Sequence, residues 1–335
     1  MAASRTRHNT RFRGLTLLPF YFLRKSISQM NIGPCILAIV KAPLQQFGGS
    51  WTEQKLQRLQ KYLIAYHQAL KNQPFTLYYI DAFAGTGYNT RKAKPENQSP
   101  LFNDLAAKDT RQFLDGSARI ALQIPHPFDQ YVFIEQNPER FTELSKLKTT
   151  FPKLSSRIQL VNEEANAYLV SLCKSCDWIL ANRRAVVFLD PFGMQVTWNT
   201  IQAIAATKAI DLWLLFPLGI GVMRMLPNHG EIPTGWRKRL DAMFGEPNWF
   251  DAFYEKQEMQ DLFGSTNETA IKKADYSSIS CYFVKRLKTI FQHVAKNPLP
   301  LLNSSNCPLY LFCFAAGNPN GGPIAKRIAE HILKP

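Results

Sequence analysis

Four times between residues 75 and 190 an apolar, β-rich run stops on a carboxylate. FTLYYID ends on Asp81, QYVFIE on Glu135, RIQLVNEE on Glu163 and Glu164, and AVVFLD on Asp190. A fifth run, AIDLWLLFP, covers 209–217. Between the runs, helical patterning covers 117–123, 138–148, 165–173 and 198–206. Strands alternating with helices require parallel pairing through right-handed crossovers. Continuous apolar strands suit a sheet covered on both faces. The expected fold class is α/β, a doubly wound and mostly parallel sheet.

The two ends of the chain differ from this middle. SWTEQKLQRLQKYLIAYHQAL (50–70) predicts a helix, with Leu56, Leu59, Leu63, Tyr66 and Leu70 on one face, Ser50 or Thr52 as its cap and Glu53 as the capping-box partner of Ser50. LPLLN (299–303) and LYLFCFAA (309–316), joined by a turn, predict a hairpin, so the sheet is expected to close antiparallel. Five parallel strands with a terminal hairpin are similar to the class I S-adenosylmethionine-dependent methyltransferase fold, and unlike a plain dinucleotide fold. Two intervals exceed simple connections. Residues 88–116 read as an exposed loop, and 218–274 as a helical insertion at the carboxyl edge, either a substrate-recognition lid or a cap.

Charge divides the chain unevenly. The net charge is +15, yet residues 1–52 hold seven Lys/Arg and no acid, leaving 33 basic against 25 acidic residues in the remainder. Such a surplus favours polyanionic partners, nucleic acid among them. Residues 1–46 form a basic extension outside the expected domain, 47–335. Their Arg-rich, acid-free composition is transit-peptide-like; a basic arm for nucleic acid is another reading, and a disordered tail or a start at Met30 is the favoured one. The longest apolar run, LTLLPFYFL (15–23), is too short to span a membrane. Six scattered Cys residues, with one CxxC at Cys173 and Cys176, form neither a disulfide framework nor the four-ligand set of a structural zinc. Free thiols in a reducing cytoplasm, and no metal, are expected.

In an open parallel sheet, ligands bind at the carboxyl ends of the strands where their order reverses. Four acids at successive ends point to one ligand lined from one rim. Asp81 opens a small-residue loop, AFAGTG, in which Gly85 and Gly87 permit close backbone approach and Phe83 offers a ring. The third glycine of GxGxxG is missing, which disfavours a pyrophosphate and hence NAD. Glu135 is placed to accept ribose hydroxyls, or alternatively to cap the helix at Asn137. Glu164, with Asn166 in support, is assigned the adenine amine, with Glu163 as its competitor.

YIDAFAGTG, FIEQNPERF, the EAN of VNEEAN, FLDPFGMQVTWNTI and DLWLLFPLG together resemble the three-Cys-motif partner proteins. The likeness runs from about Phe47 to the end and includes WTEQKLQRLQKYL and LFCFAA…GGPIAKRI. The resemblance implies a class I methyltransferase fold and S-adenosylmethionine as cofactor. It also implies a bacterial setting, often on mobile elements, beside a radical-type protein with a three-cysteine motif. It assigns no substrate.

Asp190-Pro191-Phe192-Gly193 is also similar to the Asp-Pro-Pro-Tyr motif of nucleic-acid amino-methyltransferases, and to the Asp-Pro-Phe-Gly of enzymes that methylate a guanine amine in transfer RNA. In such a site the carboxylate of Asp190 and the carbonyl of Pro191 hold the amine protons while Phe192 stacks on a flipped or single-stranded base. Asp190, Pro191 and Phe192 are thus the expected catalytic residues. The plainer reading is a turn with Phe192 packed under the sheet. Two other functions compete with methyl transfer: a cofactor-binding subunit without turnover docked on the three-cysteine protein, and an oxidoreductase.

Overall fold

The computed structural model describes residues 51–87, 116–260 and 266–334. The expected loop at 88–116, the proposed cap Ser50 and the boundary at 46/47 lie outside them, apart from Gly116. Helix α1 (Trp51–Leu70) leads into β1 (Thr76–Asp81). After α2 (Ser117–Leu122) come β2 (Gln130–Ile134), α3 (Pro138–Ser145), α4 (Leu147–Thr150), β3 (Ile158–Val161), α5 (Ala165–Lys174), β4 (Arg183–Leu189), α6 (Trp198–Ala206) and β5 (Ile210–Phe216). The five anticipated strands and the helices between them stand within a few residues of their expected bounds.

β3, β2, β1, β4 and β5 lie side by side in that order, all parallel. The order reverses between β1 and β4, which marks the ligand crevice of such sheets. β10 (Pro308–Ala316) runs antiparallel to β5, with Leu311 opposite Phe216 and Ala316 opposite Asp211. On its far side β10 pairs with β8 (His293–Val294) and with β9 (Leu299–Leu302). The hairpin β9–β10 is as anticipated, but β10 is an interior strand. Its residues from Leu309 to Ala316 are all buried, so it needs a neighbour on each side. β9 alternates buried and exposed positions and carries Pro300, as an edge strand can. This is the class I methyltransferase-like arrangement of a doubly wound α/β sheet.

The two faces of the sheet are chemically different. One is largely aliphatic: Ile80, Val132, Ile134, Val187, Leu189 and Leu214 join a core with Leu169 of α5 and Ile201 and Ile204 of α6. The other is aromatic and is covered by α1. Tyr62 meets Trp213 and Phe314 at ring distances of 5.1 and 5.0 Å, and Tyr66 stacks on Phe128 at 6.1 Å. Each such pair adds about 0.5–1.5 kcal/mol beyond area burial. Tyr62 also donates to the buried Asp211 at 2.6 Å. Of the predicted stripe on α1, Leu56, Leu59, Leu63 and Tyr66 are buried and Leu70 is half-buried. Lys55 and Arg58 are buried alongside them.

The interval after β5 is not purely helical, contrary to expectation. Pro217 leads into a π-turn (Leu218–Val222) and a 3₁₀ turn (Met223–Met225). α7 (Thr234–Phe244), α8 (Trp249–Phe253), β6 (Tyr254–Gln260) and β7 (Thr266–Lys272) follow, before α9 (Tyr276–Lys288). β6 and β7 form a ribbon of their own, with Lys256 paired to Glu268 across it. Its charged residues hid the strands, because an exposed ribbon has no apolar alternation to show. The insertion is anchored by rings. Phe216 stacks on Phe283 at 3.9 Å, and Phe244 packs on Phe253 and Tyr282 at 5.6 and 5.4 Å. α10 (Gly322–Ile332) closes the described chain and packs on α1 and β10.

Candidate functional site

The carboxyl edge at the β1/β4 switch is assembled from five loops. After Asp81 the chain continues between its neighbours: the Ala82 amide donates to the Phe188 carbonyl at 3.1 Å, and the Ala84 amide to the Ile134 carbonyl at 3.0 Å. It then turns on Gly85 and Gly87, whose φ angles are +62° and +70°. Among the described residues, a Cβ on Gly85 would meet nothing within 4 Å. A Cβ on Gly87 would press the Leu147 and Leu144 methyls at 3.1 and 3.3 Å. The two glycines therefore differ: Gly85 has room beside it among the described residues, and Gly87 packs against Leu144 and Leu147. Phe83 is half-buried against the core.

Asp81 is 0% exposed, and so cannot touch a ligand directly as expected. It accepts from the Phe83 amide at 3.3 Å, from the Tyr79 hydroxyl at 3.4 Å and from Ser117. Burial, aided by the charge of Asp190, pushes its carboxyl up to about 7. Its work is to set the glycine loop from below.

Glu135 keeps an open oxygen. Its Oε1 accepts from the Asn137 amide at 2.8 Å, while Oε2 has no partner among the described residues. The Glu135 carbonyl accepts from Asn162 at 2.7 Å, which ties the ends of β2 and β3 together. Both readings of Glu135, buried at 9% exposure, are thus compatible: one oxygen steadies the turn at Asn137 and the other is unpaired among the described residues. Asn137 itself caps α3, accepting from the Arg140 amide at 2.9 Å.

Glu164 and Asn166 depart from their assigned role. Glu164 is the N-cap of α5: Oε1 accepts from the Asn166 amide and side chain at 2.9 and 2.7 Å, and Oε2 accepts from the Ala167 amide at 2.8 Å. A cap of this kind is worth about 1 kcal/mol. Asn166 donates to Glu164 and to the Gln195 carbonyl at 2.9 Å, and accepts from the Thr197 amide at 3.0 Å and the Thr200 hydroxyl at 2.7 Å. Both its donors and its acceptor are spent. Asn166 braces the 190–197 loop and has nothing left for an adenine. Glu163, the alternative, is exposed.

The Asp190–Gly193 turn stands where it was anticipated. Pro191 is buried, and Phe192 is 42% exposed with its amide donating to Gln195 Oε1 at 2.8 Å. The ring therefore faces solvent and does not pack under the sheet. Gly193 has φ +82°, which an aromatic residue at this position would strain. Met194 rests on the loop after β5, where a Cβ on Gly221 would come within 2.7 Å of its sulfur.

Asp190 does not stand alone. Its Oδ2 is ion-paired with Lys55 Nζ of α1, side-chain exposures being 21% and 8%. The ammonium lies 5.0 Å from the centroid of the Trp51 ring, and Trp51 packs on Tyr310 at 5.0 Å. Burial and the nearby Asp190 charge raise the Tyr310 hydroxyl well above its usual range. Sequence reasoning missed Lys55, Trp51 and Tyr310. A signal existed: Trp51, Lys55, Leu59 and Leu63 are spaced four apart, so a lysine interrupts the buried stripe of α1.

The rim is acidic even without the buried Asp81, with Glu135, Glu164 and Asp190 against Lys55, which suits a cationic ligand better than an anionic one. Among the described residues no cluster of three His, Cys, Asp or Glu is arranged to hold a metal, and no helix is long and apolar enough to cross a membrane. Cys173 is buried and Cys176 half-buried, both as free thiols.

No family model and no curated protein matches the chain. Similar solved structures exist at low identity. A Legionella pneumophila protein is 12% identical, covering 86% of this chain and 92% of its own, with a TM-score of 0.44. A putative S-adenosylmethionine-dependent methyltransferase from Listeria monocytogenes is 9% identical over 75% of this chain and 97% of its own, at 0.34. The N-terminal domain of EvdMO1, solved with S-adenosylhomocysteine bound, is 9% identical over 77% and 80%, at 0.33.

Proposed function

We propose that this cleft binds S-adenosylmethionine and that the protein transfers its methyl group to an exocyclic amine of a nucleic-acid base. One juxtaposition carries the reading: the glycine turn at Gly85 and the Asp190-Pro191-Phe192 turn, with its exposed Phe192 ring, flank the same reversal of strand order. The residues fit the cofactor. Gly85 leaves space where any other residue would place a side chain, and Glu135 Oε2 is free to accept from vicinal hydroxyls. The acidic rim suits a sulfonium cation.

S-adenosylmethionine supplies an activated methyl group, so the protein's share is alignment rather than acid–base work. Asp190 Oδ1 and the Pro191 carbonyl accept the amine protons and concentrate the lone pair on nitrogen. Phe192 stacks on the base, which must be flipped or single-stranded to reach it. The alkylated amine is a strong acid and releases its proton to Asp190 Oδ1 and solvent. Asn166 and Gln195 keep the turn from swinging away.

The test is incubation of the full chain with methyl-labelled S-adenosylmethionine and mixed single-stranded RNA and DNA. Asp190→Ala is expected to abolish transfer while retaining cofactor binding. Undiminished transfer by that variant would overturn the role given to the turn.

A further inference from the structure

Lys55 poses a question that the methyl-transfer reading leaves open. A lysine 8% exposed on the sheet-facing side of a helix is costly unless its charge is paired. The pairing found is with the very carboxylate that would hold the acceptor amine. Another acid at the rim, Glu135, keeps an open oxygen and was not chosen. An ammonium carries three donors and no acceptor. One donor goes to Asp190 Oδ2, the Trp51 ring lies beside the cation, and no other acceptor engages Lys55 among the described residues. Asp190 Oδ1 is likewise without a partner among them. A hydrogen-bond donor and an acceptor therefore stand side by side at the end of β4, held together by their own ion pair, two residues before the exposed Phe192.

We infer that Lys55 and Asp190 act together as a specificity-determining pair for an amine flanked by a ring nitrogen with a free lone pair, the edge presented by adenine and cytosine. The inference rests on the methyl-transfer reading above and names the acceptor class within it. Asp190 Oδ1 takes an amine proton while Lys55 donates to the adjacent ring nitrogen. Adenine offers N6 beside N1 or N7, and cytosine N4 beside N3. Guanine is the excluded case. On its open flank the N2 amine stands beside N1–H, which would point a donor at an ammonium, and its lone-pair flank, N3, lies toward the ribose. A donor facing a desolvated cation repels, so the pair discriminates against guanine as well as favouring the others. This departs from the guanine-amine enzymes that the Asp-Pro-Phe-Gly motif is similar to, and the departure comes from α1, outside that motif. In the transfer the amine lone pair forms the N–C bond, the C–S bond breaks with its electrons left on sulfur, and the proton leaves through Asp190 Oδ1.

The experiment uses the full chain, methyl-labelled S-adenosylmethionine, and mixed-sequence single-stranded RNA and DNA digested to nucleosides after reaction. Cofactor binding by calorimetry runs in parallel on the wild type, Lys55→Met and Lys55→Arg. The expected label is on adenine or cytosine, favoured over guanine by about tenfold or more. Lys55→Met is expected to lower transfer about 10- to 100-fold and to narrow the preference over guanine, with cofactor affinity little changed, and Lys55→Arg to recover part of both. Guanine as the preferred acceptor, or an equal loss on all bases in Lys55→Met, would each overturn the pairing while the methyl-transfer reading stands; no base labelled despite cofactor binding would overturn base methylation, and this inference with it. No binding of S-adenosylmethionine by the folded wild type would overturn the methyl-transfer reading itself, and this inference with it.

Discussion

Lys55 and Asp190, 135 residues apart, meet in one ion pair at the end of the central strands, joining the first described helix to the loop after β4. Removing one partner leaves a partly buried charge uncompensated, a change that costs about 1–3 kcal/mol and more where desolvation is complete. Lys55→Met and Asp190→Asn are each expected to lower stability by that order in urea denaturation. The double variant is expected to lose less than the two together, by about 1 kcal/mol or more of coupling. Strict additivity would mean that the pair contributes nothing to the fold.

Asp81 sets a pH dependence. Its carboxyl is raised from 3.8 to about 7 by burial, so the folded state keeps the proton after the unfolded state has lost it. The stability this contributes is complete below about pH 4 and is lost as pH rises through about 7. Asp211, also raised to about 7 by burial, adds a slope of the same sign. Asp81→Asn should flatten the fall in stability between pH 4 and 8, by up to about 4 kcal/mol at roughly 1.4 kcal/mol per pH unit. Urea midpoints across that range report it, and parallel profiles for variant and wild type would contradict it.

The glycines of the site and of the insertion should separate binding from folding. Gly85→Ala places a methyl in open space at φ +62°, costing about 1–2 kcal/mol of backbone strain, and is expected to weaken S-adenosylmethionine binding about tenfold or more. Gly245, at φ +72°, has no room, since its Cβ would lie 2.1 Å from the Trp198 ring. Gly245→Ala should destabilise by more than about 2 kcal/mol and leave cofactor affinity unchanged. Calorimetry and thermal melts on both variants distinguish the two effects.

Asn166→Ala should act through the turn it braces. The truncation removes the partner of the part-buried Thr197 amide and one of the two partners of the Thr200 hydroxyl, and frees the exposed Gln195 carbonyl, a loss of about 1–3 kcal/mol. Transfer is expected to fall further than cofactor affinity, because the loosened segment carries Asp190 and Phe192. A fall in affinity alone would return Asn166 to the ligand contact read from sequence.

How much of this was legible in the sequence follows from what kind of pattern each feature leaves. The parallel strands and their helices are written in local apolar runs, and these stand close to where the runs begin and end. The interior place of β10 was also written, in a strand with no polar face, but was read only as a hairpin arm. The β6–β7 ribbon left no period because it has no core to face. At the site, strand-end position brought Asp81, Glu135 and Asp190 to one rim, yet position does not say which atoms are free. Glu164 and Asn166 look like ligands in a string of letters and are a cap and a brace in space. Lys55 was hidden for the opposite reason: its partner is distant in sequence, and only its place in the buried stripe of α1 betrayed it.

Binding of S-adenosylmethionine at the β1/β4 switch is tested by the thermal and calorimetric response of the full chain to that ligand, to S-adenosylhomocysteine and to NAD. Both sulfur ligands should stabilise the protein, by roughly 2.7 kcal/mol at a hundred times the dissociation constant, with NAD without effect and with binding weakened in Glu135→Ala. No stabilisation by either sulfur ligand, or an equal response to NAD, would contradict the account.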